Sequence, residues 1–193
     1  MDAMDTEMLW KQLVRAVETC QKCGLSETRT HAVPGEGNPD ADLMFIGEGP
    51  GRDEDLSGRP FVGKAGQLLD KMIAAIGLKR EEVYIANIVK CRPPGNRVPR
   101  ESEAESCLPY LRRQVYLVRP RIIVCLGATA MRYVIDRKAS ITSIRGQWFE
   151  RKGYWLMATY HPAALLRDPD KKYDAWEDFK KIRDKLHELG LKP

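Results

Sequence analysis

"DLMFIGEGPGRDED" spans residues 42–55. It begins as a short apolar run rich in β-formers and breaks at once into glycines, a proline and carboxylates. Three later runs share the first half of that pattern: "VYIANIV" at 83–89, "RIIVCLG" at 121–127 and "WLMATYH" at 155–161. Each has the length and composition of a strand. Helical spacing fills most of the gaps, over 65–76, 101–118 and 128–135. Leu9/Trp10, Leu13/Val14 and Val17 predict an N-terminal helix over 6–19, and residues 24–39 read as loop. Tyr173, Trp176, Phe179, Ile182, Leu186 and Leu189 form a stripe for a C-terminal helix that packs on the sheet. "ITSIRGQWFERKGY" at 141–154 can add one short strand. The alternation predicts an α/β fold: one domain over 1–193, three layers α/β/α, with a central, mainly parallel four-stranded sheet.

Composition sets the outer limits. A chain of 193 residues can bury a sizeable core, and its net charge of +5 favours anionic partners mildly. No apolar run approaches a membrane span, so no membrane partner is expected. "MDAMDTEMLWKQ" at the N-terminus is acidic and lacks an apolar signal core, which points to a cytoplasmic, reducing location. The five cysteines then argue against a disulfide framework. Cys125, inside an apolar strand, reads as core. Cys20 and Cys23 form CxxC, and with Cys91 and Cys107 they suggest an all-thiolate site for zinc or an iron–sulfur cluster. A thioredoxin-like CxxC is disfavoured, because no strand leads into it.

In open parallel sheets, ligands bind beyond the carboxyl ends of the strands. Here those ends carry "GEGPGRDED", then Asn87 and "KCRPPGN", then "HPAALLRDP"; the third run ends in "LGATA", a plain strand-to-helix turn. Gly47, Gly49 and Gly51 imply close backbone approach to a ligand, and His161 falls on the same edge. His31 and His187 read as a loop and a helix-surface residue. "GEGPG" fails the dinucleotide spacing, and "GRPFVGKA" at 58–65 has Ala65 where a phosphate loop needs a hydroxyl, so no nucleotide triphosphate is expected.

These segments, with "CLPYL", "SITSIRGQWFE" and "YHPAALLRDP", resemble the family-4 uracil-DNA glycosylases, the iron–sulfur type, over nearly the whole chain. The resemblance implies a DNA-repair hydrolase, expected as a monomer, that flips uracil out of uracil-containing DNA and cleaves its N-glycosidic bond. It implies a 4Fe–4S cluster on Cys20, Cys23, Cys91 and Cys107. That cluster would order a basic loop in which Lys90, Arg92, Arg97 and Arg100 meet phosphates. It implies a uracil site of Glu48, Gly49, Phe61, Asn87 and His161, with Asn87 reading the base edge, Phe61 stacking on it and His161 stabilising the leaving anion. Glu48, Glu54, Asp55 and Asn96 are the candidates for placing the attacking water. Leu165, Leu166 or Arg167 would wedge into the gap left by the flipped base. A related subgroup captures DNA covalently through a histidine in a KRRIH segment; "CRPPGNRVPRES" has none, so turnover is expected. The rival reading is a thiolate-metal protein that binds nucleic acid through its basic loop without catalysis.

Overall fold

The computed structural model describes residues 3–192. Its sheet has six strands: β1 (Glu36–Gly37), β2 (Leu43–Gly47), β3 (Tyr84–Asn87), β4 (Ile122–Leu126), β5 (Phe149–Arg151) and β6 (Tyr154–Thr159). Their order across the sheet is β1-β3-β2-β4-β6-β5. The four inner strands are the four apolar runs and pair in parallel. The expected count of four is therefore corrected to six by two antiparallel edges. β5 is the extra strand suggested within 141–154. β1 lies in the segment read as loop: two residues carry no alternation, and this pairing depends on backbone fit. Gly37 has φ +126, and a side chain there would strike the Val83 carbonyl.

Alternation along the inner strands divides the core. Met44, Ile46, Ala86, Ile123 and Cys125 face one layer, while Leu43, Phe45, Ile85, Ile122 and Val124 face the other. The first layer includes α1 (Ala3–Glu18), α2 (Leu25–Thr28), α5 (Glu101–Val118) and α6 (Ala128–Val134). The second includes α4 (Lys64–Ala75) and α9 (Lys171–Glu188), where Leu69, Ile73, Phe179, Ile182 and Leu186 are buried. Phe179 stacks on Phe45 at 5.8 Å, and Phe179, Ile182 and Leu186 of the C-terminal stripe are core, whereas Tyr173 and Trp176 are exposed. Short helices α3 (Arg52–Ser57), α7 (Ile141–Ile144) and α8 (Pro162–Arg167) sit in the connections. Because β2 has β3 on one side and β4 on the other, the chain reverses direction across the sheet there, and beyond the carboxyl ends at such a point open α/β sheets bind their ligands. Among the described residues no helix is long and apolar enough to cross a membrane.

Candidate active site

The site grows from register. Gly47 closes β2 and pairs with Asn87 at the end of β3, so the chain segments carrying Glu48 and Asn87 are neighbours. Gly47 must be glycine for want of space: an added Cβ would lie 2.5 Å from Phe61 Cζ and against Asn87 Oδ1. Three residues thus meet over one Cα. Phe61 in turn stacks on His161, with ring centroids 5.4 Å apart and planes 28° apart. Gly127, just after β4 with φ +90, packs closely on His161; a Cβ there would sit 3.0 Å from the histidine Cβ. Glu48 closes the circle by accepting from Thr129 Oγ1 at 2.5 Å. Glu48, Phe61, Asn87 and His161 therefore gather at one stretch of the sheet's carboxyl edge.

Asn87 is 2% exposed, and its side chain makes no hydrogen bond among the described residues. Its Oδ1 is buried without a partner, a costly arrangement that native proteins seldom keep without use. His161 caps α8: its Nδ1 accepts the Ala163 N–H at 3.0 Å. A ring that accepts at Nδ1 carries its proton on Nε2 when neutral. Burial, with the Arg167 charge second, pulls the His161 pKa down to about 4, against a weaker upward pull from Glu54, so the ring is neutral near pH 7.

The other carboxylates are occupied. Glu54 accepts the Val62 and Gly63 N–H groups, each at 2.9 Å, and the Gly51 N–H at 3.1 Å, so it builds the loop that carries Phe61. Asp55 is 3% exposed and accepts the Thr30 N–H. Asn96 lies exposed in the Pro94–Asn96 turn and accepts from Arg92 Nε at 2.7 Å. Glu48 uses one carboxylate oxygen, Oε2, on Thr129, and among the described residues no hydrogen bond engages its Oε1.

The basic loop needs a correction. Lys90 is 1% exposed and cannot meet a phosphate; its ammonium donates to the Asn87 carbonyl at 2.8 Å and to Gln114 Oε1 at 2.6 Å. Those two acceptors compensate a buried charge that water would otherwise hold. Arg97 forms a two-pronged pair with Glu103, at 2.8 and 2.7 Å, while among the described residues Arg92 and Arg100 make no ion pair. Leu165 is corrected too: at 1% exposure it packs with Tyr160 and Ala175, whereas Leu166 and Arg167 are exposed.

Cys20, Cys23, Cys91 and Cys107 line one cavity, shared with Val17, Lys90 and Tyr110. Arg29 donates to Cys91 Sγ at 3.1 Å, and the Lys90 N–H to Cys107 Sγ at 3.3 Å. Burial raises both thiols, Cys107 to about 11, with the positive groups opposing it. Among the described residues no three His, Cys, Asp or Glu side chains gather as around one ion. Four cysteines lining one cavity are a donor set of the kind that suits zinc or an iron–sulfur cluster.

Sequence reasoning missed Thr129 and Arg80. "LGATA" read as a plain turn, yet β2–β4 register brings it beside Glu48. Arg80 donates to the carbonyls of Pro60 and Phe61. Its position in a charged turn carries no sequence signal of that.

The profile of the uracil DNA glycosylase superfamily matches residues 34–186. The chain belongs to the uracil-DNA glycosylase superfamily. Within it, the chain is 48% identical to the type-4 uracil-DNA glycosylase of Sulfurisphaera tokodaii over 95% of this chain and 86% of that one. It is 47% identical to the type-4 enzyme of Archaeoglobus fulgidus, over 88% and 89% of the two chains. The Thermotoga maritima type-4 enzyme is 42% identical over 95% and 98%. The crystal structure of wild-type Pedobacter heparinus SMUG2 aligns with a TM-score of 0.55 at 14% identity, covering 94% of this chain and 98% of that one. That likeness supports the glycosylase fold.

Proposed function

We propose that this protein is a type-4 uracil-DNA glycosylase. It hydrolyses the N-glycosidic bond of uracil in DNA and leaves an abasic site for base-excision repair. The observation that carries the reading of the site is the unpaired Asn87 Oδ1, buried beside Phe61 and Gly47. Uracil supplies the missing donor. Its N3–H binds Oδ1, and the asparagine amide donates to O4. Cytosine presents the reverse pattern at those atoms and leaves both groups unpaired, which is worth about 10⁴-fold or more in discrimination.

The base leaves the stack and slides over Phe61. Cleavage puts negative charge on uracil and positive charge on the sugar. His161, neutral and protonated on Nε2, donates to O2 without giving up a proton, and backbone N–H groups near Glu48 and Gly49 assist. Glu48 holds the attacking water through the oxygen that Thr129 leaves free. Its charge also favours the cationic sugar. Glu54 belongs to the scaffold of the pocket. Leu166 or Arg167 fills the gap in the duplex, and Arg92 and Arg100 contribute phosphate contacts, while Arg97, held by Glu103, shapes the loop.

Cys20, Cys23, Cys91 and Cys107, which line one cavity, would hold a 4Fe–4S cluster. Its contribution when bound would be structural, tying the segment after α1, the loop after β3 and α5 together. An ordered loop loses less entropy on meeting DNA. The test is release of free uracil from a synthetic strand, with an alkali-labile site left behind and cytosine and thymine strands as controls. Salt-sensitive binding without product would favour a binding module.

A further inference from the structure

Phe61 has a backbone that needs an explanation. Its φ is +50, a left-handed conformation that bulky residues rarely adopt. Such a residue persists only where its surroundings over-determine it. Two charged side chains supply that constraint. Arg80, in the Arg80–Glu82 turn before β3, donates to the Pro60 carbonyl at 2.5 Å and the Phe61 carbonyl at 3.0 Å. Glu54 accepts the next two N–H groups, those of Val62 and Gly63. Below them Gly66 of α4 abuts the Phe61 carbonyl so closely that a Cβ could not fit.

We propose that Arg80 is a positioning residue for the reaction: it fixes Phe61 as the platform under the extruded base. The inference rests on the reading of Phe61 as the stacking surface. The guanidinium is itself pinned by Glu36 Oε1, at 2.7 and 2.9 Å, and by Asp70 Oδ1 at 2.7 Å. Glu36 is shared with Arg59. Burial pushes the Glu36 carboxyl up, but hydrogen bonds and charge from the two arginines outweigh it and hold the carboxyl below its usual range. The planar fork thus spans two carboxylates and two adjacent carbonyls, which the single point of a lysine ammonium cannot do. An ion-pair hub serving stability alone has no need of the carbonyls. Two donors aimed at the one strained residue whose ring faces the crevice point to control of that ring.

The test is a cycle of Arg80→Lys and Phe61→Ala, singly and together, read by single-turnover uracil excision with enzyme in excess. Arg80→Lys keeps a charge for Glu36 and Asp70, so the fold has its ion pairs; Arg80→Gln is run beside it, with melting temperature recorded for each. The expected loss is about 10²-fold for Arg80→Lys in the parent, shrinking to less than about threefold in the Phe61→Ala background. Inhibition by free uracil should weaken alongside, while binding to an undamaged duplex stays unchanged. An equal loss in both backgrounds, or full activity of Arg80→Lys in the parent, overturns the proposal. A wild-type protein that releases no uracil would dismiss the reading of the site itself, a separate result from either of those.

Discussion

Asn87→Ala separates recognition from folding. In the free protein the Oδ1 of Asn87 is buried and bonded to nothing, so its desolvation cost is already present in the native state. Alanine removes that cost along with the group. The cavity left is that of a few atoms, so the melting temperature should move by only a few degrees. Binding uracil is different. Both edge hydrogen bonds vanish, and N3–H and O4 are left desolvated. At about 1–3 kcal/mol for each unmatched group, the loss totals about 2–6 kcal/mol. At about 1.36 kcal/mol per decade that is about 30-fold to about 3 × 10⁴-fold in the rate of excision. The assay is single-turnover release of uracil, with affinity for an undamaged duplex measured in parallel. Duplex affinity should hold, because Asn87 is too deeply set to meet a phosphate. An excision rate within about threefold of the wild type would refute the assignment, since even one lost buried hydrogen bond should exceed that.

Four further outcomes follow from the same structure. The His161 pKa lies near 4 and its ordinary value at 6.5, so the free enzyme should show no histidine step in kcat/KM between pH 8 and 5; a fall with an apparent pKa of 6–7 would contradict the neutral donor. By the same linkage the unfolded chain takes up a proton below pH 6.5 that the folded ring refuses until about 4, so this group lowers stability across that window, and denaturant melts of His161→Gln should lose that part of the pH slope. Gly47→Ala places a methyl against Phe61 and Asn87 and should cost about 10²-fold or more in excision and about 1–3 kcal/mol in stability; an active, equally stable variant would show that the crevice has slack. Cys91→Ala should lose visible absorbance and thermal stability, while Cys125→Ser, in the core, keeps its colour; a brown, fully stable Cys91→Ala protein would remove Cys91 from the ligand set.

Much of this architecture is legible in the chain because its inner strands are continuous apolar runs, and their order fixes which loops share the carboxyl edge. Gly47, Asn87 and His161 could be placed on that edge without coordinates for this reason. β1 was hidden because a two-residue edge strand is held by backbone alone. Lys90 shows the opposite failure: lysine beside arginines and prolines reads as surface charge, yet Gln114, distant in sequence, buries it. Leu165 and Leu166 are indistinguishable by type, and only the pitch of α8 decides which faces Tyr160. Arg80 and Thr129 act through side-chain contacts made across 19 and 81 residues, which composition and spacing do not encode.

The most direct measurement is a crystal of the protein soaked with free uracil. Density for the base should lie on the Phe61 ring, with N3–H on Asn87 Oδ1 and O2 facing His161 Nε2, and thymine should fail to replace it. Uracil bound away from Asn87, or in the crevice with its edge turned from Oδ1, would contradict the account.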